Sequence, residues 1–129
     1  MSNQRLHNHF VGFGAASMFI AVSAGAFGAH GLKHLLSTEM LAVYHTAVEY
    51  QMYHSLGLIL IGLLLDNNNN TGIRRSGWLM LVGIFIFSGS LYLLSTTGIL
   101  WLGAITPIGG LCFLAAWFNL AWQFFKSRT

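Results

Sequence analysis

The chain has 129 residues, of which 55% are hydrophobic and only 7% charged. Soluble domains carry about a quarter charged residues, so this composition excludes an ordinary soluble protein, and the length allows one domain. The net charge of +3 comes from short basic flanks rather than a patch, which argues against a nucleic-acid partner.

Residues 1–9 are polar and include Arg5, His7 and His9. From Phe10 to Leu32 the only ionisable side chain is His30. That stretch covers ~34 Å at about 1.5 Å per residue, enough to cross a bilayer. A cleaved leader is not expected, because the Gly- and Ala-rich centre makes a poor apolar core for one. Ala21, Gly25 and Ala29 form a small-xxx-small ridge that lets another backbone approach. The first span, about 10–32, is therefore expected to be the central and most enclosed helix.

Lys33 to Ser37 reads as a short connection. Ser37 or Thr38 can cap the next helix, with Glu39 in its first turn favoured by the dipole. The second span is expected at about 40–65. From Glu39 to Leu65 the helix would be ~40 Å long, more than the hydrocarbon core, so its first part protrudes, lies in the interface or bends. Asp66 to Gly72 reads as a polar loop.

Arg74 and Arg75 precede the third span, about 76–95. It ends near Thr97, with Gly98 as the C-terminal cap. Trp101 marks an interfacial stretch. Thr106 followed by Pro107 has the form of a cap and a first-turn proline, so the fourth span is expected at about 106–125. Cys112 is the single cysteine and reads as a small core residue.

The fold class is therefore all-α, an integral membrane four-helix bundle. Arg5, Arg74, Arg75, Lys126 and Arg128 fall on one side of it and Lys33 alone on the other. The positive-inside rule then places the N and C termini in the cytoplasm.

Four motifs carry a family resemblance. They are Gly25-Ala26-Phe27-Gly28-Ala29-His30, Glu49-Tyr50-Gln51 with His54, Phe87-Ser88-Gly89-Ser90-Leu91-Tyr92, and Thr106-Pro107-Ile108-Gly109-Gly110. In this order they cover nearly the whole chain. The chain resembles the YgdD-like (YwdK-like) small bacterial inner-membrane proteins, a domain-of-unknown-function family. The resemblance implies a multi-pass protein of the bacterial inner membrane with four spans. It brings no reaction, substrate or catalytic group.

The motifs lie toward the outward ends of their helices, which suggests one intramembrane polar cluster. Its candidate members are His30, Glu49, Tyr50, Gln51, His54, Ser88, Ser90, Tyr92 and Thr106. On a helix His45, Glu49 and Tyr53 share one face, Tyr50 and His54 a second, and Tyr44, Gln51 and Ser55 a third. Glu49 needs hydrogen-bond donors that lipid lacks. The free amides of Ile108 to Gly110 and the Thr106 hydroxyl, at the positive end of the fourth helix, are the expected source.

The reading with most support is a structural or interaction protein. Its partners would be the lipid bilayer and either another membrane protein or a second copy in a homo-oligomer. The alternative is a binding protein for a lipid, quinone or other small ligand, or an accessory subunit of a membrane complex. A proton-coupled transporter is less well supported, given the five-to-one charge bias. Enzyme chemistry is not expected: there is no phosphate loop, nucleophile motif or close carboxylate pair. No cofactor and no metal are expected either. His30 and His34, and His45 and Glu49, have ligand spacing, but no further ligand joins them.

Overall fold

The computed structural model describes residues 2–67 and 69–126, and these form four long helices. Helix α1 runs Asn3–Phe27 and continues through a π-helical turn, Gly28–Leu32. Helix α2 is Thr38–Asp66. Helix α3 is Thr71–Thr97, with a π-helical turn at Ile84–Ser88. A 3-10 turn, Leu100–Ala104, leads into α4, Thr106–Lys126. All four are long and apolar enough to cross a membrane. Arg128, counted in the charge asymmetry, lies outside the described residues.

Local chemistry sets the helix ends. The Ser2 hydroxyl accepts from the Arg5 amide and starts α1 seven residues before Phe10. The Ser37 hydroxyl accepts from the Met40 amide at 3.1 Å and starts α2. Asn70 is more than loop, because its side chain accepts from the amides of Gly72 and Ile73 and caps α3. Gly98 closes α3 in the left-handed region at φ 75°, and its amide donates to Leu94 O at 2.8 Å. Pro107 sits in the first turn of α4, where a missing N–H costs nothing.

The pair α1–α2 is a close seam. On α1 it runs Phe10, Gly14, Ser17, Ala21, Ala24, Gly28; on α2 it runs Tyr44, Val48, Gln51, Ser55, Leu58, Gly62, Leu65. Steps of three and four alternate on both, the 3.5-residue period of a left-handed helix pair. At Gly14 a Cβ would lie 2.8 Å from the Ser55 carbonyl oxygen, and at Gly62 one would lie 3.0 Å from the Val11 amide nitrogen. These two glycines set the backbone approach. Gly25, by contrast, would put its Cβ only against Val48, at 3.3 Å, and Ala29 is exposed.

The expected central place of α1 is corrected here. In the most apolar window of each helix, 50% of α2 is buried but only 17% of α1. The small residues of α1 serve a single neighbour, α2, while the rest of its surface, including Phe13, Phe19 and Phe27, is exposed. Helix α2 is the one that touches both α1 and α3. The largest core cluster sits toward the Asp66 end, where Phe10, Leu58, Ile61, Ile73, Met80 and Ala116 bring all four helices together.

Candidate functional site

The expected members of one polar cluster divide into three places instead, with Glu49 and His30 outside them. The first centres on Gln51, which is 5% exposed. Its Nε2 donates to Ser17 O at 3.0 Å and to Ser17 Oγ at 3.2 Å. Its Oε1 accepts from the Tyr92 hydroxyl at 2.6 Å. The Ser55 hydroxyl donates to Ser17 Oγ at 2.7 Å. Tyr92 meets the ring of Tyr44 edge-on at 5.3 Å, and the Tyr44 hydroxyl donates to Ala24 O at 2.6 Å. Gly28 makes room for that ring: a Cβ there would lie 2.5 Å from Tyr44 Cε1. This network ties α1, α2 and α3 together. It borders a cleft of about 330 Å³ between α1 and α3, whose walls include Phe13, Ile20, Leu81 and Phe85.

The second place is aromatic and faces away from α1. His54, 5% exposed, stacks on Phe113 with centroids 3.4 Å apart and planes 6° apart. Its Nδ1 is 2.7 Å from Tyr50 O. Tyr50 stacks on Phe87 at 4.5 Å, and Trp117 closes the row at 6.0 Å from His54. Local packing explains why α4 reaches this wall. A Cβ at Gly109 would lie 2.5 Å from the Phe87 backbone nitrogen, so α4 lies directly on the π-helical turn of α3.

The third place joins α3 to the start of α4. The hydroxyls of Ser90 and Thr106 are 2.5 Å apart, and Ser90 also donates to Phe87 O at 2.9 Å. Ser88, buried, donates to Ala47 O at 2.8 Å and holds α3 to α2.

Glu49 joins none of these. It is exposed on α2, on the same side as His45 and Tyr53, and has no hydrogen-bond partner among the described residues. The expected pairing with the start of α4 is therefore corrected. The Ile108 amide already donates to Ile105 O at 3.0 Å, continuing the 3-10 turn. Gly109 packs on Phe87 of α3, and no hydrogen bond joins the start of α4 to Glu49 among the described residues. His30 is likewise exposed, in the π-helical turn that ends α1.

Sequence reasoning placed Ser55 on the face of Tyr44 and Gln51, where it lies, but missed Ser17 and an entire cluster at the other end of the bundle. There Asn119 Nδ2 donates to Gly72 O at 2.7 Å and to Ser76 Oγ at 2.8 Å. Ser76 donates to Ala116 O at 3.0 Å, and Gln123 to Asn119 Oδ1 at 3.2 Å. Amides at Asn119 and Gln123, four residues apart inside an apolar span, were the available signal.

The fold and these internal networks define a four-helix integral membrane protein. The family model described as protein of unknown function (DUF423) matches residues 24–110, and the chain belongs to that family. It is 50% identical over 109 residues to the UPF0382 membrane protein YwdK of Bacillus subtilis, covering 84% of this chain and 89% of that one. It is 49% identical over 117 residues to a UPF0382 membrane protein of Staphylococcus haemolyticus, covering 91% of this chain and 95% of the relative. A relative from Haemophilus influenzae is 41% identical over 128 residues, covering 96% and 99%. The chain is thus a bacterial membrane protein with four candidate spans. No solved structure matches it.

Proposed function

We propose that this is a non-catalytic protein of the bacterial inner membrane, a structural or interaction protein. Its buried polar groups hold its own helices together, and the exposed face of α2 meets another membrane component. The observation that carries this reading is the Gln51 network. Both donor contacts of that amide and its carbonyl oxygen go to groups of the same chain. A polar group so engaged fixes helix register, which is what interhelical hydrogen bonds do in a bilayer.

Glu49 and Tyr53 then mark the contact surface. Tyr53 is 57% exposed beside an exposed carboxylate, and Leu56, Leu60 and Leu63 continue the same stripe. A carboxylate on the outer face of a span favours a protein partner or the headgroup layer over acyl chains. The partner is a second copy or another membrane protein. The carboxylates Glu39, Glu49 and Asp66 are strung along one helix, with Glu39 and Glu49 ~15 Å apart, too far for joint acid–base work.

A photo-crosslinking residue in place of Tyr53, activated in native membranes, tests this. A discrete protein adduct is expected. Lipid adducts alone would overturn the contact surface. The cytoplasmic placement of both termini rests on the basic residues and is tested separately. A cysteine at Thr97 should label from outside the cell, and one at Asn69 should not.

A further inference from the structure

The aromatic groove between α2, α3 and α4 has a feature that knitting helices together does not require. The carbonyl of Tyr50 can only accept, so in its 2.7 Å bond with His54 the hydrogen sits on Nδ1. In the neutral ring, Nε2 is then a bare acceptor. Nε2 has no hydrogen-bond partner among the described residues. It keeps some exposure, and the side chain that carries it lines the groove. His54 itself is 95% enclosed, since its exposure is 5%. The groove is thus lined by a nearly buried histidine with one unused acceptor.

The surroundings say what kind of molecule suits that acceptor. The groove, open along one side, has a volume of about 520 Å³, and Tyr50, Phe87, Phe113 and Trp117 line it. That volume lies in the usual range for small-molecule sites, roughly 300–1,000 Å³. Aromatic side chains along a groove favour a planar ring over an acyl chain. Leu111 and Leu114 on its rim are 66% and 68% exposed, so the mouth opens where lipid lies. His54 is 12 residues from Asp66, ~18 Å along α2, which puts the acceptor at mid-membrane depth.

We infer that this groove binds a membrane-soluble phenol or hydroquinone. Its ring lies among the aromatic walls, and its hydroxyl donates to His54 Nε2. An apolar tail would leave past Leu111 and Leu114 into the bilayer. Helix α4 approaches closely enough to form the far wall because Gly109 admits the backbone of Phe87.

The test uses the full chain in nanodiscs of phosphatidylethanolamine and phosphatidylglycerol. The probes are 2-octylhydroquinone and its 1,4-dimethyl ether, which has the same ring and tail but no donor. Tryptophan fluorescence reads binding, because Trp117 lines the groove. The hydroquinone is expected to quench saturably, and the ether to bind about tenfold or more weakly. His54→Phe keeps a stacking ring and removes the acceptor, and should bring the hydroquinone down to the ether's affinity. Gly110→Leu should block both probes while leaving the melting temperature near that of the parent. A Cβ at Gly110 meets only the Phe87 ring, at 3.8 Å, so this variant decides the matter even if His54→Phe fails to fold. Equal affinity for the two probes, non-saturable partitioning alone, or full binding by either variant would overturn the assignment.

Discussion

The Tyr92 hydroxyl donates to Gln51 Oε1 at 2.6 Å, across a gap of 41 residues in sequence. Gln51 in turn reaches Ser17, so one amide joins three helices. Tyr92→Phe removes a single donor and should cost about 0.5–1.5 kcal/mol. Gln51→Leu leaves the Ser17 carbonyl and the Tyr92 hydroxyl without their partner and should cost more, about 1–3 kcal/mol. Equilibrium unfolding in mixed micelles would rank the two. Equal, negligible costs would mean that the network adds nothing to stability.

Close helix approach makes a second prediction sharp. A Cβ at Gly14 would press on the Ser55 carbonyl oxygen at 2.8 Å, whereas one at Gly12 meets nothing within 4 Å. Gly14→Ala should lose about 1–3 kcal/mol through overpacking. Gly12→Ala should be neutral, or gain up to about 1 kcal/mol from helix propensity. The two melting temperatures, measured side by side in one detergent, check this.

Glu49→Gln should change stability by less than about 0.5 kcal/mol, since the carboxylate is exposed and has no partner within the described chain. Its effect should appear in association instead. Crosslinked adducts at Tyr53 should weaken while the unfolding curve stays in place. A large drop in the stability of the isolated chain would show that the carboxylate has an intramolecular role.

Asn119 holds α4 to α3 through Gly72 O and Ser76 Oγ. Asn119→Leu should cost about 1–3 kcal/mol by leaving a buried carbonyl and hydroxyl short of a donor. Hydrogen exchange should rise first in 71–77 and 119–126. Uniform exchange along α3 would place the weakness elsewhere.

Much of the helical plan could be read directly because it rests on local signals. Ser37, Gly98 and Pro107 act within a turn of where they stand, and apolar length marks the spans. The arrangement of helices was harder to read. The Gly and Ala content of α1 shows that a backbone comes close, but one neighbour is enough to account for it. Glu49 and the start of α4 stay apart for a similar reason. A shared depth along the membrane says nothing about which side of the helix a residue occupies. Rotation about the helix axis decides it: Gln51 and His54 turn inward and Glu49 turns out. Ser17 carried no signal of its own, since a lone serine in an apolar span satisfies its hydroxyl as readily on its own helix.

The buried stripe of α3 runs through its π-helical turn without a break. Ile73, Gly77, Met80 and Ile84 step by four, three and four, and Ser88, Leu91 and Ser95 follow by four, three and four. Phe87 and Ser88 both lie in that turn, Phe87 against the aromatic wall and Ser88 bonded to Ala47 O. One face of it therefore belongs to α4 and the next to α2. A gene that lost one codon within 84–88 would turn the half of α3 that carries Tyr92 by about 100°, away from Gln51.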